Sequence, residues 1–438
     1  MVAPLGLLSG KLKVMRTSSF AFILLFLISI SAMARDSDAD SLEWSRRPPG
    51  NLDPKTVPQF VSVTFDDNFG SAFPNASGGI DYILNFYKDQ KNPPGIGDAQ
   101  NFDGLPIHTS FYFTSIYLVD DSKKVLSDKP GEDHHGLNRK AWTAAFKSGN
   151  EAADHTVNHF NGGVVPLDPD DCCRARNWNA EQWEAEIQSC KDALTGPEGI
   201  GAEKGEVIGF RAPYLGYNDH MFTALSKLNF IYDTSLPNCF DDSEDGSNCS
   251  WPYTLDHGSP DIDVMARKFS TPRAKIPIGF PKVTDHPGLW ELPPATLILP
   301  PDSVAAKYGF KPGLRSRVAK KGTLPYPSIY EASTGKITGL DYTLLMDAGI
   351  TGSEMGAVLK YNLDLHLSGN RSPIVFIAHS HLYSYSSPEM NPDTPSAAER
   401  DARWKGLTDF LTYALSKPEV RIVSAKNILA WINRQKRQ

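Results

Sequence analysis

The sequence predicts an α/β fold, a parallel sheet covered by helices. Three observations carry this reading. Segments of two-residue apolar period, such as Val61, Val63 and Phe65, alternate along the chain with segments of helical period, such as "NAEQWEAEIQSCKDALTG". Strand–helix alternation of this kind implies parallel strands joined by crossover helices. Side chains able to do chemistry also recur where the strand-like segments end, and sites in such folds gather at the carboxyl ends of strands.

In chain order, Lys11, Lys13 and Arg16 precede the apolar run Phe20 to Ile30, and Ala32 to Ala34 supply a small–x–small pattern. This predicts a signal peptide over residues 1–34, cleaved near Ala34, and a secreted or periplasmic protein. The apolar run is shorter than the ~20 residues a membrane span needs. Residues 35–55 are polar and proline-bearing and read as a linker, leaving 56–438 as a single large domain with the three insertions given below. There "FVSVTFD", "HTSFYFTSIYL", "EVIGFRAPY", "IYDTS", "SPIVFIAHS" and "VRIVS" read as strands. The stretches "DYILNFYKD", "RKAWTAAFKSG", "HMFTALSKLNF", "EMGAVLKYNLDLHLSG", "AERDARWKGLTDFLTYALSK" and "AKNILAWINR" read as helices. Asn179 with Gln182 three residues on marks a helix start. Three parts break the rhythm, about 91–139, 160–178 and 236–335. They read as insertions that wall a cleft.

With 438 residues, 40 % of them hydrophobic and 22 % charged, the chain can build a sizeable core and is not a disordered protein. A net charge of −7 argues against nucleic acid or an anionic membrane surface as partner. Export permits disulfides. Cys239 and Cys249 flank a polar loop and form the expected pair, while Cys190 can join Cys172 or Cys173. Asn75, Asn248 and Asn370 stand in N-x-S/T sequons.

The candidate chemistry begins with "TFDD". Asp66 and Asp67 end an apolar strand side by side, although consecutive strand residues point to opposite faces. In "DHTVNHF", His155 and His159 are four apart, which on a helical turn sets both imidazoles on one face, able to bind one metal ion. Two histidines and one carboxylate leave an open position on zinc, and water bound there reaches a pKa of roughly 7. One aspartate can then be the ligand and the other the general base. In "GFRAPY", Arg211 can hold a carboxylate ionised. In "FIAHSH", His379 ends an apolar strand where a general acid is wanted, with His381 as its rival.

These motifs resemble those of the polysaccharide deacetylase family of carbohydrate esterases, the NodB homology group. The family's T-F-D-D matches Thr64 to Asp67, its H-S/T-x-x-H matches His155, Thr156 and His159, its R-x-P-Y matches Arg211, Pro213 and Tyr214, and its strand-ending histidine matches His379. The resemblance implies a distorted (β/α) barrel with long loop insertions and a bound zinc. Asp67, His155 and His159 would be the metal ligands and Asp66 the base, oriented by Arg211. The backbone N–H of Tyr214 would help hold the oxyanion, and His379 would protonate the leaving amine. The stretches "YDTSLPN", "WPYTLDHG" and "LWELP" are similar to those of arthropod-type chitin deacetylases and their bacterial relatives. That narrower likeness implies Asp233 as an acid behind the site and Trp290 as a wall of the acetyl pocket.

The family's D-x-x-D-W motif is absent, so either Asp233 or Glu291 is expected to partner His379. Asn68 stands where many members have glycine and is expected to serve the turn. The activity implied is removal of N-acetyl groups from a chitin-type amino-sugar glycan. Acetylxylan or peptidoglycan deacetylation, cyclic-amide hydrolysis and non-catalytic glycan binding are the alternatives.

Overall fold

The computed structural model of the chain describes residues 41–68, 79–119, 134–164, 174–269, 280–383 and 396–436. The segment read as a signal peptide lies outside them, as do Asn75, Cys172 and Cys173. Among the described residues, no helix is long and apolar enough to cross a membrane.

Among the described residues there are twelve strands: β1 Gln59–Asp67, β2 Ser110–Phe113, β3 Glu151–Asp154, β4 Gly209–Phe210, β5 Tyr232–Asp233, β6 Tyr253–Thr254, β7 Trp290–Glu291, β8 Thr296–Ile298, β9 Tyr330–Glu331, β10 Lys336–Thr338, β11 Ile374–His379 and β12 Val420–Ile422. The helices are α1 Gly79–Tyr87, α2 Ile116–Val119, α3 His134–Lys147, α4 Ala180–Thr195, α5 Asp219–Lys227, α6 Pro260–Phe269, α7 Ala305–Tyr308, α8 Leu314–Ala319, α9 Gly352–Ser368, α10 Ala397–Leu415 and α11 Ala425–Lys436.

The main sheet runs β11-β1-β2-β3-β4-β5-β7-β6, with β12 also paired to β1. All of its pairings are parallel except β6 with β7. The sheet curls into a distorted (β/α) barrel. On its open side Ala295 N donates to Val375 O and Ile377 N to Gly339 O, so the small β8-β10-β9 sheet leans on β11.

Strand parity sorts the core into two parts. Val61, Val63, Phe65, Phe111, Phe113 and Phe210 face the helices and meet Trp142 and Trp183. The opposite face carries Phe60, Tyr112, Ala153, Tyr232, Trp290 and Val375, which fill the barrel with Trp251 and Trp431. Helix α4 starts as its sequence predicts, with Asn179 and Gln182 forming a reciprocal capping box, and its stripe Trp183, Ile187, Cys190 and Leu194 is buried. Helices α9 and α10 approach until a Cβ on Gly406 would lie 1.9 Å from Gly352 O, so only glycine fits there.

Several expectations are corrected. Residues 41–55 are not a free linker: Leu42 N donates to Thr254 Oγ1, Trp251 N donates to Ser45 O, and Trp44 packs on the core. Burial of the Trp44 ring, with its Nε1 donating to Asp261, outweighs the local proline signal. The segment 91–139 is no simple insertion, since it supplies β2 between β1 and β3. The strand expected over "EVIGFRAPY" shrinks to Gly209–Phe210, because the chain turns away after Arg211.

Cys239 and Cys249 form a disulfide, as expected. Cys190 does not pair; its buried thiol donates to Phe113 O. The sequon residue Asn370 uses its amide to donate to Arg46 O and Cys249 O, so it is committed to the fold.

Candidate active site and metal centre

The site is assembled where β1, β3, β4 and β11 end. Strict alternation would send Asp66 and Asp67 to opposite faces. It fails because Asp67 and Asn68 adopt left-handed backbone, φ 63° and 66°. Both carboxylates thereby line one cavity of about 490 Å³, together with His155, His159, Tyr214, His379 and His381. Asn68 serves the turn, as expected: it is buried, and its Nδ2 donates to Phe65 O and Tyr112 O.

His155 and His159 converge, but not on a helical turn. Residues 155–159 form a bend with left-handed Thr156 and His159. The reason is local hydrogen bonding, which competes with helix. Thr156 N donates to Asp154 Oδ1, and His159 N donates to Thr156 Oγ1. Left-handed φ recurs at Tyr214 and Leu215 on the opposite loop. Such non-glycine conformations each cost of order 1–3 kcal/mol and collect at functional sites.

Asp67, His155 and His159 each offer a ligand atom, and these atoms lie within 4.8 Å of one another. His159 Nε2 is 3.1 Å and His155 Nε2 3.7 Å from Asp67 Oδ1. His155 Nδ1 sits 2.8 Å from Arg211 O, a carbonyl that can only accept, so Nδ1 holds the proton and the Nε2 lone pair faces the site. Burial acts to raise the Asp67 pKa, but His159 and His155 outweigh it and hold the carboxyl below its usual range. Burial drives His155 down to about 4, keeping it neutral. One carboxylate oxygen and two imidazole nitrogens form a donor set that fits a divalent transition metal.

Arg211 has two tasks. Its carbonyl orients His155, and its guanidinium, fully buried, donates to Asp66 Oδ1 at 2.7 Å and to Thr64 Oγ1 at 2.8 Å. Nε donates to Thr234 O, and the Tyr112 ring lies 4.2 Å beneath the guanidinium. This arrangement gives Asp66 a charge-assisted hydrogen bond and fixes its direction. Tyr214 forms part of the cavity wall, its ring 4.8 Å from that of His159.

His379 has a partner that the sequence reading missed. Neither Asp233 nor Glu291 holds it. Asp341 does, accepting from His379 Nδ1 at 2.7 Å and from His379 N at 2.8 Å. Burial disfavours the imidazolium, but the Asp341 charge and hydrogen bond prevail, and His379 is raised to about 9. His381 moves the other way, down to about 4, through burial and the neighbouring His379. The two histidines therefore differ in charge at neutral pH. Asp341 follows the strand "KIT" in a segment whose Leu340 bridges Ile377 beside β11. An acid three residues beyond a short strand was the available signal.

Asp233 and Trp290 do not line the cavity. Asp233 stands in register with Phe210, on the helix-facing side. It accepts from Ser235 N and Oγ, and Ser235 Oγ in turn accepts from Ala212 N, so Asp233 supports the Arg211 loop at one remove. Burial raises Asp233 to about 6. Trp290 is in register with Tyr232 and packs inside the barrel, where Lys436 Nζ lies 5.1 Å from its ring. Of the three long segments expected to wall the cleft, 236–335 supplies Pro325 to Ser328, while the described parts of 91–139 and 160–178 supply no lining residue.

The fold is an α/β barrel that carries a candidate metal site at the ends of its strands. No family model matches the chain. A curated relative, chitin deacetylase 1 of Bombyx mori, is 25 % identical over 189 residues, 43 % of this chain and 27 % of that protein. The chain thus matches about a quarter of that relative's length. Among solved structures, a Mycobacterium smegmatis protein assigned as a polysaccharide deacetylase aligns over 90 % of this chain and 96 % of its own, at 13 % identity and a TM-score of 0.45. A family 4 carbohydrate esterase from Streptomyces lividans aligns over 40 % of this chain and 62 % of its own, at 16 % identity and a TM-score of 0.25. The resemblance to the NodB-type carbohydrate esterases is borne out.

Proposed function

We propose that the chain is a secreted, zinc-dependent deacetylase that removes N-acetyl groups from chitin-type amino-sugar oligomers or polymers. One observation carries the reading. A three-donor metal set, an Arg-held carboxylate and an Asp-held histidine of raised pKa share one cavity. A zinc ion held by Asp67, His155 and His159 would supply Lewis acidity and an acidified water.

The chain's own groups complete the chemistry. Asp66, held by Arg211, takes a proton from the attacking water. The backbone N–H of Tyr214, on the cavity wall, would donate to the developing oxyanion. His379, kept protonated by Asp341, delivers a proton to the departing amine. Amines are poor leaving groups unless protonated, so an acid of pKa about 9 suits an amide bond. The basic, apolar and small-residue pattern of residues 1–34 supports export.

The test is acetate release from chitin oligomers, peptidoglycan and acetylxylan, with and without a chelator. Chelator-sensitive release from chitin oligomers is expected. Release from acetylxylan alone would assign the chain to ester substrates, and release from none would make it a binder.

A further inference from the structure

The cavity carries one carboxylate that the proposed chemistry does not use. Asp347 lines it at the end of the helical segment that begins with Asp341. A helix rises ~1.5 Å per residue, so Asp347 stands at most roughly 9 Å along the axis from Asp341. Asp347 and His379 thus line the same cavity at different points of its wall. Tyr342 lies on the same segment, 38 % exposed, its ring 6.1 Å from His379, and offers a flat face to a pyranose.

Asp347 is half-buried and built in. Ser328 Oγ has one proton and gives it to Asp347 Oδ2, so it accepts from Thr343 Oγ1, at 2.6 Å. Among the described residues, Oδ1 has no protein hydrogen-bond donor. The cavity is lined by Asp66, Asp67 and Asp347 but by no lysine or arginine among the described residues. Lys321, whose charge acts on Asp347, is exposed and is not part of the lining. A half-buried carboxylate with one oriented and one open oxygen is a receptor for a cation that also donates hydrogen bonds.

We propose that Asp347, oriented by Ser328 and Thr343, binds the ammonium group of a glucosamine unit next to the unit being deacetylated. Partly deacetylated oligomers would then be better substrates than fully acetylated ones. This rests on the deacetylase reading above. It also makes the product of one turnover a recognition element for the next on the same strand.

The test measures binding and turnover separately. Calorimetry at pH 6 compares the glucosamine trimer with the N-acetylglucosamine trimer on the wild type, D347N and S328A. Acetate release is compared on partly and fully acetylated tetramers. Replacing Asp347 by its neutral isostere is expected to weaken the amino trimer about tenfold, with little change for the acetylated trimer. The rate ratio between partly and fully acetylated tetramers is expected to fall by a similar factor. S328A, which leaves the carboxylate but not its orientation, is expected to show a smaller loss and carries the comparison should D347N not fold. Equal binding of the amino trimer by wild type and variants would overturn the subsite. An unchanged rate ratio in an active enzyme would overturn it too, with the deacetylase reading intact. A variant-sensitive amino-trimer site in a protein that releases no acetate would sustain the subsite and sink the activity.

Discussion

Asp341 grips His379 at two points, accepting from ring Nδ1 at 2.7 Å and from backbone N at 2.8 Å. The double contact fixes the imidazole's position and its charge together. Asp341 comes from a different part of the chain than Asp233 and Glu291, the partners expected from the sequence.

Asp341→Asn should therefore lower the alkaline limb of kcat/KM. In the wild type the imidazolium persists to about 9, and without the carboxylate His379 falls towards an ordinary histidine or below, because burial is then unopposed. Stability follows the same sign. A histidine pKa raised on folding stabilises fully below its unfolded value near 6.5, and this is lost as pH rises through about 9. Melting temperatures at pH 6 and pH 10 should show the wild type's advantage over Asp341→Asn at pH 6 and a smaller one at pH 10. A limb that does not move would remove Asp341 from the mechanism.

Arg211 and Asp66 form a buried ion pair whose partners cannot be separated cheaply. Arg211→Met should destabilise the fold by about 3–5 kcal/mol, as expected when one member of a buried pair is left unpaired. Urea unfolding measures this. Asp66→Asn keeps the shape and should cost about 10²–10⁴-fold in turnover, the range for losing a general base.

The metal set and the base should separate experimentally. Asp66→Asn is expected to retain stoichiometric metal while losing activity, whereas His159→Ala should lose both. Elemental analysis of purified variants distinguishes them. Chelation of the wild type should lower its melting temperature, since a ligand at a hundred times its Kd stabilises by about 2.7 kcal/mol. If His159→Ala kept full metal content, the ligand assignment would be wrong.

The Cys239–Cys249 disulfide closes a ten-residue separation beside Asn370, which bonds to Cys249 O. Replacing both cysteines by serine should cost about 3 kcal/mol by loop-closure entropy. Calorimetry checks this. Because neither cysteine lines the cavity, the rate of acetate release per folded molecule should be unchanged.

Much of the site was legible because its chemistry sits in short motifs at strand ends. "TFDD", "HTVNH", "RAPY" and "FIAHS" each place their residues within a few positions of a strand terminus, and the fold delivers termini to one place. The helix starting at Asn179 and the Cys239–Cys249 pair were legible for the same reason, since both depend on near neighbours.

The rest needed distance information that a sequence does not hold. Asp341 and His379 are 38 residues apart, and only the bridge between Leu340 and Ile377 brings them together. Trp290 and Asp233 carry family-like motifs, yet register with Tyr232 and Phe210 turns both from the cavity, because side-chain direction depends on which residues pair. The sequence by itself determined the paired aspartates, the two histidines of the candidate metal site and the strand ends that bear them. Tertiary structure alone decided which acid charges His379, which turn lets Asp66 and Asp67 share a cavity, and that Asp347 stands in the same wall. Those choices rest on backbone twist and long-range packing, and no local spacing encodes either.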